Sequence, residues 1–108
     1  MRAVFFKTLE QLYSEHQDIF VLTGDLGYSL LDGFKQHCSH RFYNVGVAES
    51  NMIGIAAGLA FSGKTTYCYS IVPFLTMRAF EPIRVMVAYH SLNVKLVGFG
   101  GGLTYGLE

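Results

Sequence analysis

This sequence carries no excess of either charge: eight Lys and Arg balance eight Asp and Glu. Without a basic stripe, nothing in it speaks for nucleic-acid binding. Long hydrophobic runs are also missing, because Lys, Arg or His breaks every apolar stretch before it could span a bilayer. The opening Met1-Arg2-Ala3-Val4-Phe5-Phe6-Lys7 begins like a secretion signal, but Lys7, Glu10 and Glu15 interrupt it before an apolar core forms. The expected location is therefore cytoplasmic. Cysteine is scarce, and Cys38 and Cys68 have no metal-binding spacing. They read as two free thiols in a reducing compartment. His16, His37, His40 and His90 are scattered, and His37-x-x-His40 reads as a surface pair, so no metal site is expected. There is no repeat, linker or low-complexity segment.

What is present is enough for one small domain. The chain has 108 residues, 51% of them hydrophobic, so a packed core is within reach and disorder is not indicated. Residues 3–16 read as an amphipathic helix with Val4, Phe5, Leu9, Leu12 and Tyr13 on one side. Short apolar runs at 19–23, 41–45, 65–72 and 94–99 read as strands. A loop over 26–29 leads into a weakly helical stretch ending at Cys38. Residues 49–61 read as a helix, with Gly63 a natural stop past its end. Residues 74–89 read as another, with Pro82 a kink or irregularity inside it. Strands alternating with helices predict an α/β fold with a mostly parallel sheet. The strands are continuous apolar runs, which fits a sheet covered by helices on both faces. The chain stops in the Gly-rich loop that begins at Gly100, so the domain reads as incomplete at the C-terminus.

The informative segment runs Asn44-Val45-Gly46-Val47-Ala48-Glu49-Ser50-Asn51-Met52 and continues as Ile53-Gly54-Ile55-Ala56-Ala57-Gly58-Leu59-Ala60. After Asn51 the helix has no polar face, so it is expected to be buried all round. Gly54 and Gly58 lie one turn apart and leave room for another backbone to approach. Glu49 stands at the start of that helix, where the positive end of the helix dipole favours a carboxylate. On composition alone, an ordinary first-turn acid that helps satisfy free backbone N–H groups is the commoner explanation.

The whole segment is similar to the signature of the transketolase superfamily's pyrimidine-binding domain, in which a G-[IV]-[AR]-E-x-x-M/A stretch precedes a small-residue helix. Here it is Gly46-Val47-Ala48-Glu49-Ser50-Asn51-Met52, with Arg41-Phe42-Tyr43-Asn44 resembling the lead-in. The family usually has Gln or His where this chain has Ser50. The resemblance covers nearly the whole chain. Thr23-Gly24-Asp25-Leu26-Gly27-Tyr28-Ser29 resembles the family's [SG]-[AG]-D-L-x-x-S loop. Ser70-Ile71-Val72-Pro73-Phe74 resembles the strand end that lines the aminopyrimidine ring. In the helix that follows, Gln usually sits at the Pro82 position. The resemblance implies thiamine diphosphate as cofactor, contacted by Asp25, Glu49, Ile71 and Phe74, and substrate contacts from Arg2, Ser29 and Glu108. Arg2 also reads as a chain-end residue, and Phe74 as plain core.

Thiamine diphosphate acts as a carbanion after its thiazolium C2 proton is removed. In the family a carboxyl group hydrogen-bonded to the pyrimidine N1′ makes the cofactor's own 4′-amino group the base. That residue must be an acid and must be shielded from water; Glu49 is the implied catalytic group. The family's second requirement is a G-D-G…N motif for Mg²⁺ and the diphosphate. Gly24-Asp25-Leu26 is not that motif, so a partner domain or subunit is expected to hold the metal. The expected activity is two-carbon ketol transfer from a sugar or sugar phosphate, by an oligomer. Deoxyxylulose-phosphate synthases and 2-oxo-acid dehydrogenase β subunits share the same carboxylate. A non-catalytic remnant or interaction module is the rival of another class. A nucleotide-binding domain has no support: Gly98-x-Gly100 is followed by neither a third glycine at the required spacing nor an apolar helix.

Overall fold

The computed structural model describes residues 1–104, apart from the side chain of Cys38. Four strands form one parallel sheet: β1 (Ile19–Thr23), β2 (Phe42–Asn44), β3 (Thr65–Ile71) and β4 (Val94–Phe99). Their order is β2-β1-β3-β4. Thr23 pairs with Asn44 on one side and Tyr69 on the other, and Ile71 pairs with Phe99. The carboxyl ends of all four strands therefore lie along one edge.

Helices cover both faces. On one, α1 (Arg2–Glu15) and α2 (Asp32–Cys38) pack Phe6, Leu9, Tyr13 and Phe34 against Val21, Phe42 and Tyr69. The buried side of α1 is Phe6, Leu9 and Tyr13; Val4, Phe5 and Leu12 are exposed. The stripe is thus turned from the one the sequence predicts, because a helix rich in apolar residues presents more than one plausible face and packing selects among them. Arg41 precedes β2 and is buried. Its guanidinium donates to the carbonyls of Tyr13, His16 and Ile19 and lies 4.0 Å from the Tyr13 ring centroid. One side chain thereby satisfies the carbonyls where α1 ends and β1 begins.

The other face is covered by α3 (Glu49–Phe61) and by residues 74–88. Met52, Ile53, Ala56 and Ala57 of α3 pack with Leu22, Cys68, Leu75 and Val87. The expectation that α3 is buried all round is corrected: Ile55 and Phe61 are exposed on its outer side, and a side chain at Gly58 would meet nothing within 4 Å. Residues 74–88 are two wide π-helical turns, Phe74–Arg78 and Ile83–Ala88, on either side of one short α-helical turn, α4 (Phe80–Pro82). Pro82 has no N–H to give the carbonyl of Arg78, four residues back, so the α-helical ladder is broken there.

The connections fix where a site can form. The chain leaves β1 for α2 on one face and leaves β3 for residues 74–88 on the other. Neighbouring strands whose connections depart to opposite faces open a crevice at their carboxyl ends, the usual binding position in open α/β sheets.

Candidate active site

Glu49 stands at that crevice. It is the first residue of α3, yet its side chain is only 1% exposed. One carboxylate oxygen, Oε1, accepts a hydrogen bond from Ser70 Oγ at the end of β3, at 3.1 Å. The other, Oε2, accepts from the Arg78 guanidinium, also at 3.1 Å. Both contacts are what a buried carboxylate needs, since removing one from water without partners is costly. Gly24, just past β1, closes the third side: a Cβ there would come within 3.2 Å of Glu49 Oε1. The turn into α3 passes through Gly46 at φ 77°, a left-handed conformation that glycine adopts without strain.

Phe74 and Arg78 share the first π-helical turn. The Arg78 guanidinium carbon sits 3.9 Å from the centroid of the Phe74 ring. Its backbone carbonyl, orphaned by Pro82, accepts a hydrogen bond from Ser50 Oγ at 2.9 Å. Ser50 and Pro82 thus bear on one carbonyl, which Pro82 leaves free and Ser50 meets. Together they fix the backbone of the residue that reaches Glu49.

The predicted residues divide into groups. Glu49, the end of β3 with Ser70 and Ile71, and Phe74 gather around the crevice, joined there by Gly24. Asp25 lies on the adjoining loop, with its backbone at φ 61°. Its N–H donates to Asn44 Oδ1, and its Oδ1 accepts from Asn44 Nδ2 and Tyr28 Oη. These hydrogen bonds, that of Asn44 foremost, hold the Asp25 carboxyl below its ordinary pKa. Asn44 Oδ1 also accepts from the N–H of Gly46, so one amide joins the Asp25 loop to the lead-in of Glu49. Ser29 is exposed at φ 64°. Arg2 lies on the α1 side, its guanidinium carbon 4.3 Å from the Phe99 ring centroid at the end of β4. Glu108 lies outside the described residues. Ser70, Arg78 and Asn44 were not singled out as site residues from the sequence. The available signal for Arg78 was the Pro82 spacing, which leaves its carbonyl in need of a donor.

A family model described as the transketolase pyrimidine-binding domain matches residues 1–108. A putative transketolase C-terminal section from Methanocaldococcus jannaschii is 44% identical over 98% of this chain and 34% of its own length. One subunit of an apulose-4-phosphate transketolase from Phocaeicola vulgatus is 37% identical, over 97% of this chain and 34% of that protein. A 1-deoxy-D-xylulose-5-phosphate synthase from Mycolicibacterium gilvum is 35% identical over 94% of this chain and 16% of that protein. Among solved structures, a split-gene transketolase described as an inactive beta4 tetramer superimposes with a TM-score of 0.78 and 39% identity, over 87% of this chain and 32% of that one. The chain spans about a third of the length of the transketolase relatives it matches. On its fold and on these matches, it belongs to the transketolase pyrimidine-binding domain family.

Proposed function

We propose that this chain supplies the pyrimidine-binding half of a thiamine-diphosphate-dependent transketolase-type enzyme that moves a two-carbon ketol unit between sugars or sugar phosphates. The observation that carries the reading is Glu49: a 1%-exposed carboxylate aimed into the crevice between the ends of β1 and β3. A purely structural first-turn acid would face solvent and the free N–H groups of its own helix; Glu49 turns inward, to Ser70 and Arg78.

The residues present fit the pyrimidine half of the cofactor. Glu49 is the acid for a ring nitrogen, and Phe74 offers a flat apolar face. Gly24 and Ser70 shape and orient the carboxylate. Ile71 lines the strand end beside them, and Asp25 holds the neighbouring loop. When bound, thiamine diphosphate supplies a carbon nucleophile that no amino-acid side chain provides. The part of this chain is to share a proton with the ring nitrogen through Glu49 and to keep water from that carboxyl. Among the described residues no group of three His, Cys, Asp or Glu is placed to hold a metal. Mg²⁺ and the diphosphate are assigned, as the family resemblance implies, to a partner domain or subunit. The subunit and section names of the relatives support that division, and the beta4 description of the structural neighbour supports assembly into oligomers. No described helix is long and apolar enough to cross a membrane. The similarity to a deoxyxylulose-phosphate synthase keeps a second substrate choice in view, with the same role for Glu49.

The test is Glu49→Gln in the assembled enzyme. Gln keeps the shape and a hydrogen bond but cannot pass a proton. Hydrogen–deuterium exchange at thiazolium C2, at saturating cofactor, is expected to slow by about a hundred- to ten-thousand-fold. Affinity should change far less, because the diphosphate anchor lies elsewhere. Equal exchange in parent and variant would reduce Glu49 to a structural helix-start residue.

A further inference from the structure

Two consecutive residues of α3 hold Arg78 by both ends. Its guanidinium donates to Glu49 Oε2 at 3.1 Å, and its backbone carbonyl accepts from Ser50 Oγ at 2.9 Å. Its plane is set as well, because the guanidinium carbon lies 3.9 Å from the Phe74 ring centroid. Arginine is a planar, forked donor that stacks on aromatic faces, so these three contacts define both where it sits and how it is turned. A half-exposed arginine paired with a surface acid is usually loosely held. Arg78 is 47% exposed, but the acid it meets is 1% exposed and its own backbone is anchored.

The carboxylate gains a second support from this arrangement. Ser70 Oγ donates to Oε1 from the end of β3, and Arg78 donates to Oε2 from the π-helical turn beyond it. One donor alone would let the carboxylate turn about its last bond. Two donors on different oxygens, carried by different elements, fix its plane. An ionised carboxylate offers about four lone-pair positions, so these two contacts leave capacity for a further donor. Phe74 likewise has two faces, and Arg78 lies over one.

We infer that Arg78 is a positioning residue for Glu49: clasped by Ser50 and Phe74, it holds the carboxylate in the orientation from which a proton is shared with a ring nitrogen. This rests on the function proposed above and adds to it a residue that acts only through Glu49. Proton sharing demands placement to within about 0.5 Å, which a side chain achieves only when its own supports are fixed.

The test is a double-mutant cycle in the chain assembled with its diphosphate-binding partner and Mg²⁺, read by hydrogen–deuterium exchange at C2 of saturating thiamine diphosphate. Arg78→Ala is expected to slow exchange about ten- to a hundredfold. Arg78→Lys keeps a cationic donor but loses the flat fork, so its rate should fall between parent and Ala. In a Glu49→Gln background, neither Arg78 variant should slow exchange further, because no carboxylate is left to position. A residue that only stabilises the fold would slow both backgrounds alike. Should the Ala variant fail to assemble, the Lys variant carries the same comparison. Parental exchange in the Arg78 variants, or losses that multiply with that of Glu49→Gln, would overturn the positioning role and leave that of Glu49 standing. Parental exchange in Glu49→Gln alone would instead defeat the function proposed above, and this inference with it.

Discussion

Asn44 ties the two loops of the site together with a single side chain. Its oxygen accepts from Asp25 and Gly46, and its amide nitrogen donates to the Asp25 carboxylate. Asp25 has a positive φ, 61°, which a non-glycine residue adopts at a cost, so the amide stabilises backbone that would otherwise relax. The consequence for pH has a definite sign. The Asp25 carboxyl is held below its ordinary value, first by Asn44 and then by Tyr28. Between the folded value and the ordinary carboxylate pKa, the unfolded chain binds a proton that the folded chain does not, so stability rises with pH. This contribution is present above the ordinary value and is lost as pH falls through the folded one. Asn44→Ala removes the largest cause, and the Asp25 titration is expected to move upward. A carbon-detected NMR titration of the carboxyl reads it directly; an unmoved titration would mean that Asn44 does not set the charge. The contrast in legibility is sharp among these residues. Glu49 and Phe74 are readable because a local sequence pattern carries them. Asn44, Ser70 and Arg78 matter through partners 19, 21 and 29 positions away, contacts that exist only once the crossovers are built.

Helix α3 shows what hydrophobic pattern can and cannot say about an element. Its bounds are legible to the residue, since Glu49 opens it and Ser62-Gly63 ends it. Its orientation is not legible, because an all-apolar helix has no polar face to mark the outside. Packing on the sheet makes the choice: Met52, Ile53 and Ala56 are fully buried, and Ile55 is 37% exposed. Met52→Ala is therefore expected to cost about 2–5 kcal/mol, the usual range for emptying a core position. Ile55→Ala should cost roughly 0.5 kcal/mol or less, as at ordinary surface sites. Denaturant midpoints of the two variants measure the difference. Equal losses would mean that α3 is enclosed on both sides in solution. The strands follow the same logic from the other side. Their continuous apolar runs fit a sheet covered on both faces, and both cover layers are present. The 74–88 segment is the element least visible in advance. Pro82 announces an irregularity, but the two π-helical turns and the Ser50 hydroxyl that meets the freed carbonyl of Arg78 are not written in the local sequence.

At the scale of the whole molecule, the outer surface of the α3 side departs from that of an ordinary globular domain. Phe61 is 68% exposed, Met77 77%, Phe80 66% and Tyr89 83%, with Met86 and Ile55 also exposed among them. Thr76, Met77 and Phe80 line an open hollow. Single exposed apolar residues are normal, but several large ones contributed by two packed elements mark an interaction surface. The opposite face of the sheet has large exposed side chains too, yet Phe5 there packs edge-on against Phe6 and is only 38% exposed. The chain is therefore expected to associate through its α3 side when purified alone, and the association should weaken on dilution. Met77→Glu with Phe80→Glu places two like charges on that surface. It touches neither Glu49 nor the sheet core, so the fold should remain while the assembly dissociates. Sedimentation velocity over a range of concentrations separates the outcomes. A parent chain that stays monomeric at every concentration would leave the apolar surface without a role. An assembly that survives both charges would locate the interface elsewhere on the molecule.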